Sequence, residues 1–170
     1  FIRRGSQEAD QQTLREHLQQ ARYFLHGLTS RHETLLRVAR CIVSVQRDFM
    51  DSGDESMHPL TLRDVATALE IHESTVSRAT ANKYLLTPRG LYEFKHFFSS
   101  GVATSEGGAA SATAIQAMIK RLVAAEQRDK PLSDQTLASL LQAEGIEVAR
   151  RTIAKYREAI GIAPSHERRL

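Results

Sequence analysis

Little in this chain could crosslink it, carry it through a membrane or hold a metal. Its 170 residues include one cysteine, Cys41, and no tryptophan. A single thiol excludes an internal disulfide and fits a reducing compartment. No run of about 18 apolar residues occurs, so no membrane-spanning helix is expected. The chain opens Phe-Ile-Arg-Arg-Gly, with no methionine and no apolar core of a signal peptide. These features point to a fragment of a larger, soluble, cytoplasmic protein. Of the seven histidines only His26 and His32 have a finger-like spacing, and no Cys pair accompanies them, so no zinc site is expected. Asp51, Asp54 and Glu55 lack the spacing of a calcium loop and read as a solvated acidic loop. There is no Gly-rich phosphate loop followed by Lys-Ser or Lys-Thr, no His-Glu-x-x-His and no nucleophile elbow. No catalytic residue, cofactor or enzyme activity follows from these residues.

What the chain does have is a local surplus of positive charge. The net charge is +3. Residues 149–170 hold six Lys or Arg (150, 151, 155, 157, 168, 169) against two Glu (158, 167), a local +4, so the other 148 residues carry −1. A basic surplus gathered at one end is the footprint of a polyanion contact. Wound at 100° per residue, Arg150, Arg151, Ala154, Lys155 and Glu158 face one way, and Ile153, Tyr156 and Ile160 the other. Gly145 and Gly161 bound this helix, and Pro164 prevents an early restart.

Upstream, Leu14, Leu18, Ala21, Leu25 and Leu28 mark an amphipathic helix over residues 6–30. Leu35, Val38, Ala39, Ile42, Val45 and Phe49 mark a second over 33–50. The two are expected to form a helical hairpin hinged near Thr29-Ser30. After a polar loop, Thr61-Leu62-Arg63-Asp64 reads as a variant capping box. From there Val65, Ala66, Leu69, Ile71, Val76 and Ala79 follow helix-turn-helix spacing: a small residue where two helices cross, with aliphatic plugs on either side. The second helix of that pair exposes Glu73, Ser74, Thr75, Ser77, Arg78 and Asn82, short donors and acceptors plus one guanidinium, suited to base edges and phosphates. Glu70 stands where the turn usually has glycine. Four of the ten aromatics fall between Leu91 and Phe98 and read as a core plug.

Residues 101–111, rich in Gly, Ala and Ser, read as a flexible linker. Beyond it a three-helix unit is expected: a helix over 112–127, a second starting at a Ser133 cap, and the basic helix. Leu137, Ala138, Leu141, Ile146 and Ile153 repeat the order of Val65, Ala66, Leu69, Ile71 and Val76 across a longer turn, which makes a second helix-turn-helix. The fold class is therefore all-α, in four parts: residues 1–50, a central helix-turn-helix domain at 51–100, the linker at 101–111, and a C-terminal DNA-binding domain at 112–170. In an inserted helix, Arg150 and Arg151 at the first turn would meet base edges, and an arginine fork on guanine is worth roughly 1 to 3 kcal/mol of discrimination. Lys155 suits a phosphate. Thr152 suits a backbone, base or phosphate contact, and Ala154 matters by being small. Tyr156 reads as core with its hydroxyl at the rim, or as a phosphate contact.

Ala149-Arg150-Arg151-Thr152-Ile153-Ala154-Lys155-Tyr156-Arg157-Glu158 resembles the RpoN box of bacterial sigma-54 transcription factors, with Ile153 where valine is usual. His72-Glu73-Ser74-Thr75-Val76-Ser77-Arg78 resembles the central helix-turn-helix of that family. Thr87-Pro88-Arg89-Gly90 and Phe97-Phe98-Ser99-Ser100 resemble the segments that follow it. Thr34-Leu35-Leu36-Arg37-Val38 resembles the end of its region that binds core RNA polymerase. The resemblance implies a C-terminal fragment of such a factor. Arg150, Arg151, Thr152, Ala154, Lys155, Tyr156 and Arg157 would read the upstream GG (minus-24) promoter element. Glu73, Ser74, Thr75, Ser77 and Arg78 would sit at the downstream GC (minus-12) element. Core RNA polymerase would be a partner, as would an AAA+ activator ATPase acting on the full-length factor, to which this fragment alone is expected not to respond. The rival readings are a helical interaction module for core polymerase or a regulator, and an ordinary repressor with two DNA-binding modules.

Overall fold

The structure, a computed structural model, describes residues 2–104, 108–127 and 129–169. Its first element corrects the expected hairpin: a single helix, α1, runs from Ile2 to Val45, about 66 Å at 1.5 Å per residue. Thr29 and Ser30 do not interrupt it. Thr29 Oγ1 donates back to the Leu25 carbonyl at 3.0 Å, and Thr34 Oγ1 to the Ser30 carbonyl at 2.8 Å, so both threonine hydroxyls are satisfied within the helix. Gly27 stands in open space, and one such glycine costs a helix only about 1 kcal/mol. Consequently the stripe Leu14, Leu18, Leu25 and Leu28 does not fold back on its own chain, and all four remain exposed.

Farther along, α1 enters the central core through Val38 and Ile42. Gln46 then interrupts it. The fully buried side chain donates from Nε2 to the His58 carbonyl (2.8 Å) and accepts the His58 N–H at Oε1 (2.9 Å), which fastens the acidic loop beneath the helix. A short helix, α2, continues over Arg47–Ser52 and buries Phe49.

The central helix pair is α3, Leu62–Leu69, and α4, Glu73–Thr80. The capping box closes α3 as its sequence requires: Asp64 N–H donates to Thr61 Oγ1 (3.2 Å), and Thr61 N–H to Asp64 Oδ2 (2.8 Å). The Thr61 hydroxyl also donates to Asp64 Oδ2 at 2.7 Å, and this bond, followed by the one from the Thr61 N–H, holds the Asp64 carboxyl below its usual range. Glu70 ends α3 in the left-handed region at φ 54°, doing what glycine would do there. Arg37 of α1 donates to the Leu69 carbonyl at 2.8 Å, so the pair is fixed to the long helix.

The fold is not all-α. Tyr84–Thr87 (β1) and Gly90–Glu93 (β2) form an antiparallel hairpin with Leu86 opposite Leu91. Its Pro88-Arg89 turn is closed by Thr87 Oγ1, which donates to the Gly90 carbonyl (2.9 Å) and accepts the Arg89 N–H (3.1 Å). Strands of four residues are too short to impose a readable period of two. The aromatics that follow close the central core. Phe94 and Phe97 are buried, and Phe49 meets Tyr92 and Phe97 edge-on at 5.2 and 5.4 Å between ring centroids.

The expected flexible linker is also corrected, because Gly101–Ala103 (β3) pairs with Ala109–Ser111 (β4). Val102 and Ala110 of this hairpin pack on the C-terminal core. Small residues that look like spacer by composition are here what lets two strands lie close to their neighbours. Ser111 then caps α5, Ala112–Ala124, by accepting the Ala114 N–H at 3.0 Å. Ser133 caps α6, Asp134–Ala143, through the Thr136 N–H at 3.1 Å. The chain crosses residues 144–149 into α7, Arg150–Ala159, and ends in a short helix, α8, Ser165–Arg168. Ile115, Ile119, Leu137, Leu141, Ile146 and Ile153 form this second core.

Candidate nucleic-acid interface

The basic helix is shaped by what its inner face must bury. Ile153 is fully buried, and Tyr156 and Ile160 pack against the same core. Arg150, Arg151, Lys155 and Glu158 are exposed, and Thr152 and Ala154 lie at the boundary. No hydrogen bond or ion pair within the described chain restrains the side chains of Arg150, Arg151 or Lys155. Two arginines and a lysine therefore stand on the outer face of the first turn and a half of α7, free to meet an external anion.

Arg157 does not belong with them. Its side chain is 3% exposed; Nε donates to Asp134 Oδ1 at 2.8 Å and Nη1 to the Ile162 carbonyl. The bond to Asp134 leads the effects that raise its already high pKa. The expectation that Arg157 touches DNA is thus corrected: it joins the first turn of α6 to the chain leaving α7. The signal was present in the sequence, since Arg157 lies four residues after Ile153 and three before Ile160, on the apolar arc, with Asp134 opening the partner helix.

Arg168 is likewise internal. It donates to both carboxylate oxygens of Glu126 (2.8 and 2.9 Å), to the Leu132 carbonyl (2.9 Å) and to the Ala163 carbonyl. Together with the Leu132 N–H, these bonds hold the Glu126 carboxyl below the usual range, the Arg168 bonds contributing most. Of the six cations in residues 149–170, Arg150, Arg151, Lys155 and Arg169 are left for solvent.

In the central pair, Val76 is buried, while Glu73, Ser77 and Arg78 are exposed and Ser74 and Thr75 are half-buried. His72 caps α4 by accepting the Ser74 N–H at Nδ1 (3.2 Å). Arg78 Nη2 donates to Ser74 Oγ at 3.0 Å, which lays the guanidinium along the first turn of the helix. Sequence reasoning missed this restraint and also the hairpin beside α4, whose Tyr84, Leu86 and Leu91 are exposed. Among the described residues no group of three or more His, Cys, Asp or Glu could hold a metal ion, and no helix is long and apolar enough to cross a membrane.

Two cores, each carrying a pair of short helices whose second member turns polar and cationic residues outward, make a mostly helical protein suited to meeting a polyanion. A family model described as "Sigma-54, DNA binding domain" matches residues 11–170. The chain belongs to that sigma-54 family. It is 60% identical over 169 residues to an RNA polymerase sigma-54 factor of Pseudomonas putida, covering 99% of this chain and 34% of the relative. It is 55% identical over 162 residues to that of Salmonella typhimurium, covering 95% of this chain and 34% of the relative. The chain thus spans about a third of the length of the curated relatives it matches. Among solved structures it is similar to Aquifex aeolicus sigmaN bound to promoter DNA, at 39% identity and a TM-score of 0.57, covering 94% of this chain and 48% of that one.

Proposed function

We propose that this chain reads a two-part promoter, with α7 in the major groove at the upstream GG (minus-24) element and α4 at the downstream GC (minus-12) element. The observation that carries the reading is the sorting of arginines on α7: Arg150 and Arg151 are unrestrained at its first turn, whereas Arg157 is consumed internally. Arg150 and Arg151 are the leading guanine contacts, Lys155 a phosphate contact, and Thr152, Ala154 and Tyr156 line the approach. In the central pair Arg78 is the leading base contact, with Glu73, Ser74, Thr75 and Ser77 around it. As part of a sigma-54 factor, the chain would act with core RNA polymerase, and the whole factor would await an AAA+ activator ATPase.

A second reading, protein interaction, is favoured by one feature only. Between residues 14 and 28, α1 leaves Leu14, Leu18, Tyr23, Phe24, Leu25 and Leu28 exposed, ahead of the segment that enters the central core. That surface supports a docking role for α1 beside the DNA reading.

The test is competition between GG duplex and scrambled duplex at two salt concentrations, for the unaltered chain and for Arg151→Ala. Loss of a guanine fork lowers the GG-to-scrambled preference by about 10- to 100-fold. Loss of phosphate contacts instead weakens every duplex alike and reduces the salt dependence. An unchanged preference in Arg151→Ala overturns the assignment of α7.

A further inference from the structure

The two helix pairs are joined by a packed seam. On the central side, Leu60 and Ser99 exchange both backbone hydrogen bonds, at 3.1 and 3.0 Å, which brings the chain entering β3 alongside Pro59. Gly101 lies against the central unit so closely that a Cβ there would come within 3.0 Å of Pro59 and 3.1 Å of the Ala109 side chain. On the far side, Thr104 pairs with Ile146, the residue that enters the C-terminal core just before α7. The hairpin β3–β4 therefore touches both units.

Across this seam lies Arg121 of α5. Its Nε donates to both carboxylate oxygens of Glu55, in the acidic loop of the central unit, at 3.0 and 3.1 Å. Its Nη2 donates to both oxygens of Glu144, in the turn that delivers α7, at 3.1 and 2.9 Å. The Arg121 side chain is half-exposed and lies outside both buried cores. Without it, two carboxylates face each other across the seam, and an attraction becomes a repulsion. An isolated surface pair would count for little, but one guanidinium shared by two carboxylates is a network.

We propose that Arg121 sets the spacing between the two promoter elements that this protein accepts, by holding the two helix pairs as one rigid reader. The proposal rests on the function proposed above. One base pair inserted between the elements moves the second by about 3.4 Å and rotates it by about 35° around the duplex. A rigid reader follows neither change and gives up one element, whereas a loosened one keeps both.

The experiment measures affinity of the full 170-residue chain for duplexes carrying both elements at native spacing, with one base pair added or removed, and for each element alone. The proteins are the unaltered chain, Arg121→Ala, and the charge-exchanged Arg121→Glu with Glu55→Arg and Glu144→Arg. Simultaneous engagement is worth about 100-fold. The unaltered chain should lose most of that on the altered duplexes, Arg121→Ala should bind all spacings within about 3-fold of one another, and the exchanged chain should regain discrimination. Affinity for single elements should stay the same throughout. If Arg121→Ala discriminates as sharply as the unaltered chain, or gains affinity at native spacing alone, the spacing role is wrong. If the unaltered chain does not distinguish either element from scrambled DNA, the promoter reading fails and the spacing role with it.

Discussion

The two short helix pairs, α3–α4 and α6–α7, solve one geometrical problem with different chemistry. In the central pair, α3 and α4 are joined by the three residues 70–72, and the αL position is held by Glu70. In the C-terminal pair, α6 and α7 are joined by residues 144–149, and the positive φ is held by Gly145. The second helix of the central pair, α4, carries one arginine, Arg78, which among the described residues bonds to Ser74 on its own helix. The C-terminal helix carries Arg157 on its inner face, bonded to Asp134 of the partner helix. A short turn needs little else to fix the angle between two helices; a long one leaves that angle open until a cross-helix bond sets it. The difference teaches that a cation in the second helix of such a pair can be spent on orientation rather than left for an external anion.

The strongest way to break this comparison is to remove both arginines in turn. Arg157→Met leaves Asp134 without its partner in a largely buried place and should cost the C-terminal unit about 3 kcal/mol. Arg78→Met removes an exposed side chain and should change stability by less than about 0.5 kcal/mol. Thermal and urea unfolding report both values. Both variants should bind promoter duplex less well, so binding alone does not separate orientation from contact, whereas stability does. Equal and small costs would show that the Arg157 bonds do not orient α7.

A smaller effect separates the units by pH. Glu126, whose side chain is 9% exposed, is held below its ordinary pKa chiefly by Arg168. Its contribution is therefore complete above the unfolded value near 4.3 and is lost as pH falls through the lower folded value. The Glu126→Gln variant should be about 1 kcal/mol less stable at pH 7, and its melting curve should meet that of the unaltered chain in strong acid. In the central unit the corresponding carboxylate is Asp64, an exposed group in a capping box, whose acid sensitivity should be weaker because solvent screens it. Parallel curves for the two Glu126 proteins down to pH 2 would remove Arg168 as the cause.

How much of this was legible depended on range. The capping box at Thr61, the cap at Ser133, the turn position at Glu70 and the apolar stripes of both helix pairs follow from residues within a turn or two of one another, whereas the Ser111 cap was hidden in what read as linker. The continuity of α1 did not follow either, because a Thr-Ser pair reads as a hinge until the Thr29 hydroxyl is known to bond back to the Leu25 carbonyl. Four-residue strands on either side of Pro88-Arg89 were too short to show a period. The segment at 101–111 has the composition of a spacer, yet Gly101 is fixed by its distance to Pro59, a contact between residues 42 apart. The outer arc of α7 was legible from its period alone. Arg157 was readable from the same period, and the motif drew it into the wrong group. Arg121 was invisible, since its two partners lie 66 and 23 residues away.

The smallest expected effect bears on the turns themselves. A residue with a Cβ in the left-handed region carries about 1 kcal/mol of strain, which glycine relieves at the cost of a more flexible unfolded chain. For Glu70→Gly the two nearly cancel, and a net gain of about 0.5 kcal/mol should remain, a rise in melting temperature of roughly 1 to 2 °C for a chain of this size. Gly145→Ala is the mirror experiment and should destabilise by about 1 kcal/mol, because alanine gains the strain that Glu70 already bears. If Glu70→Gly instead destabilises, the Glu70 side chain stabilises the short turn in a way its exposed position does not show, and the two turns are less alike than their φ values suggest. If both substitutions behave as expected, the same backbone requirement has been met once by glycine and once by a tolerated glutamate, and the unequal lengths of the two turns are what separates the pairs.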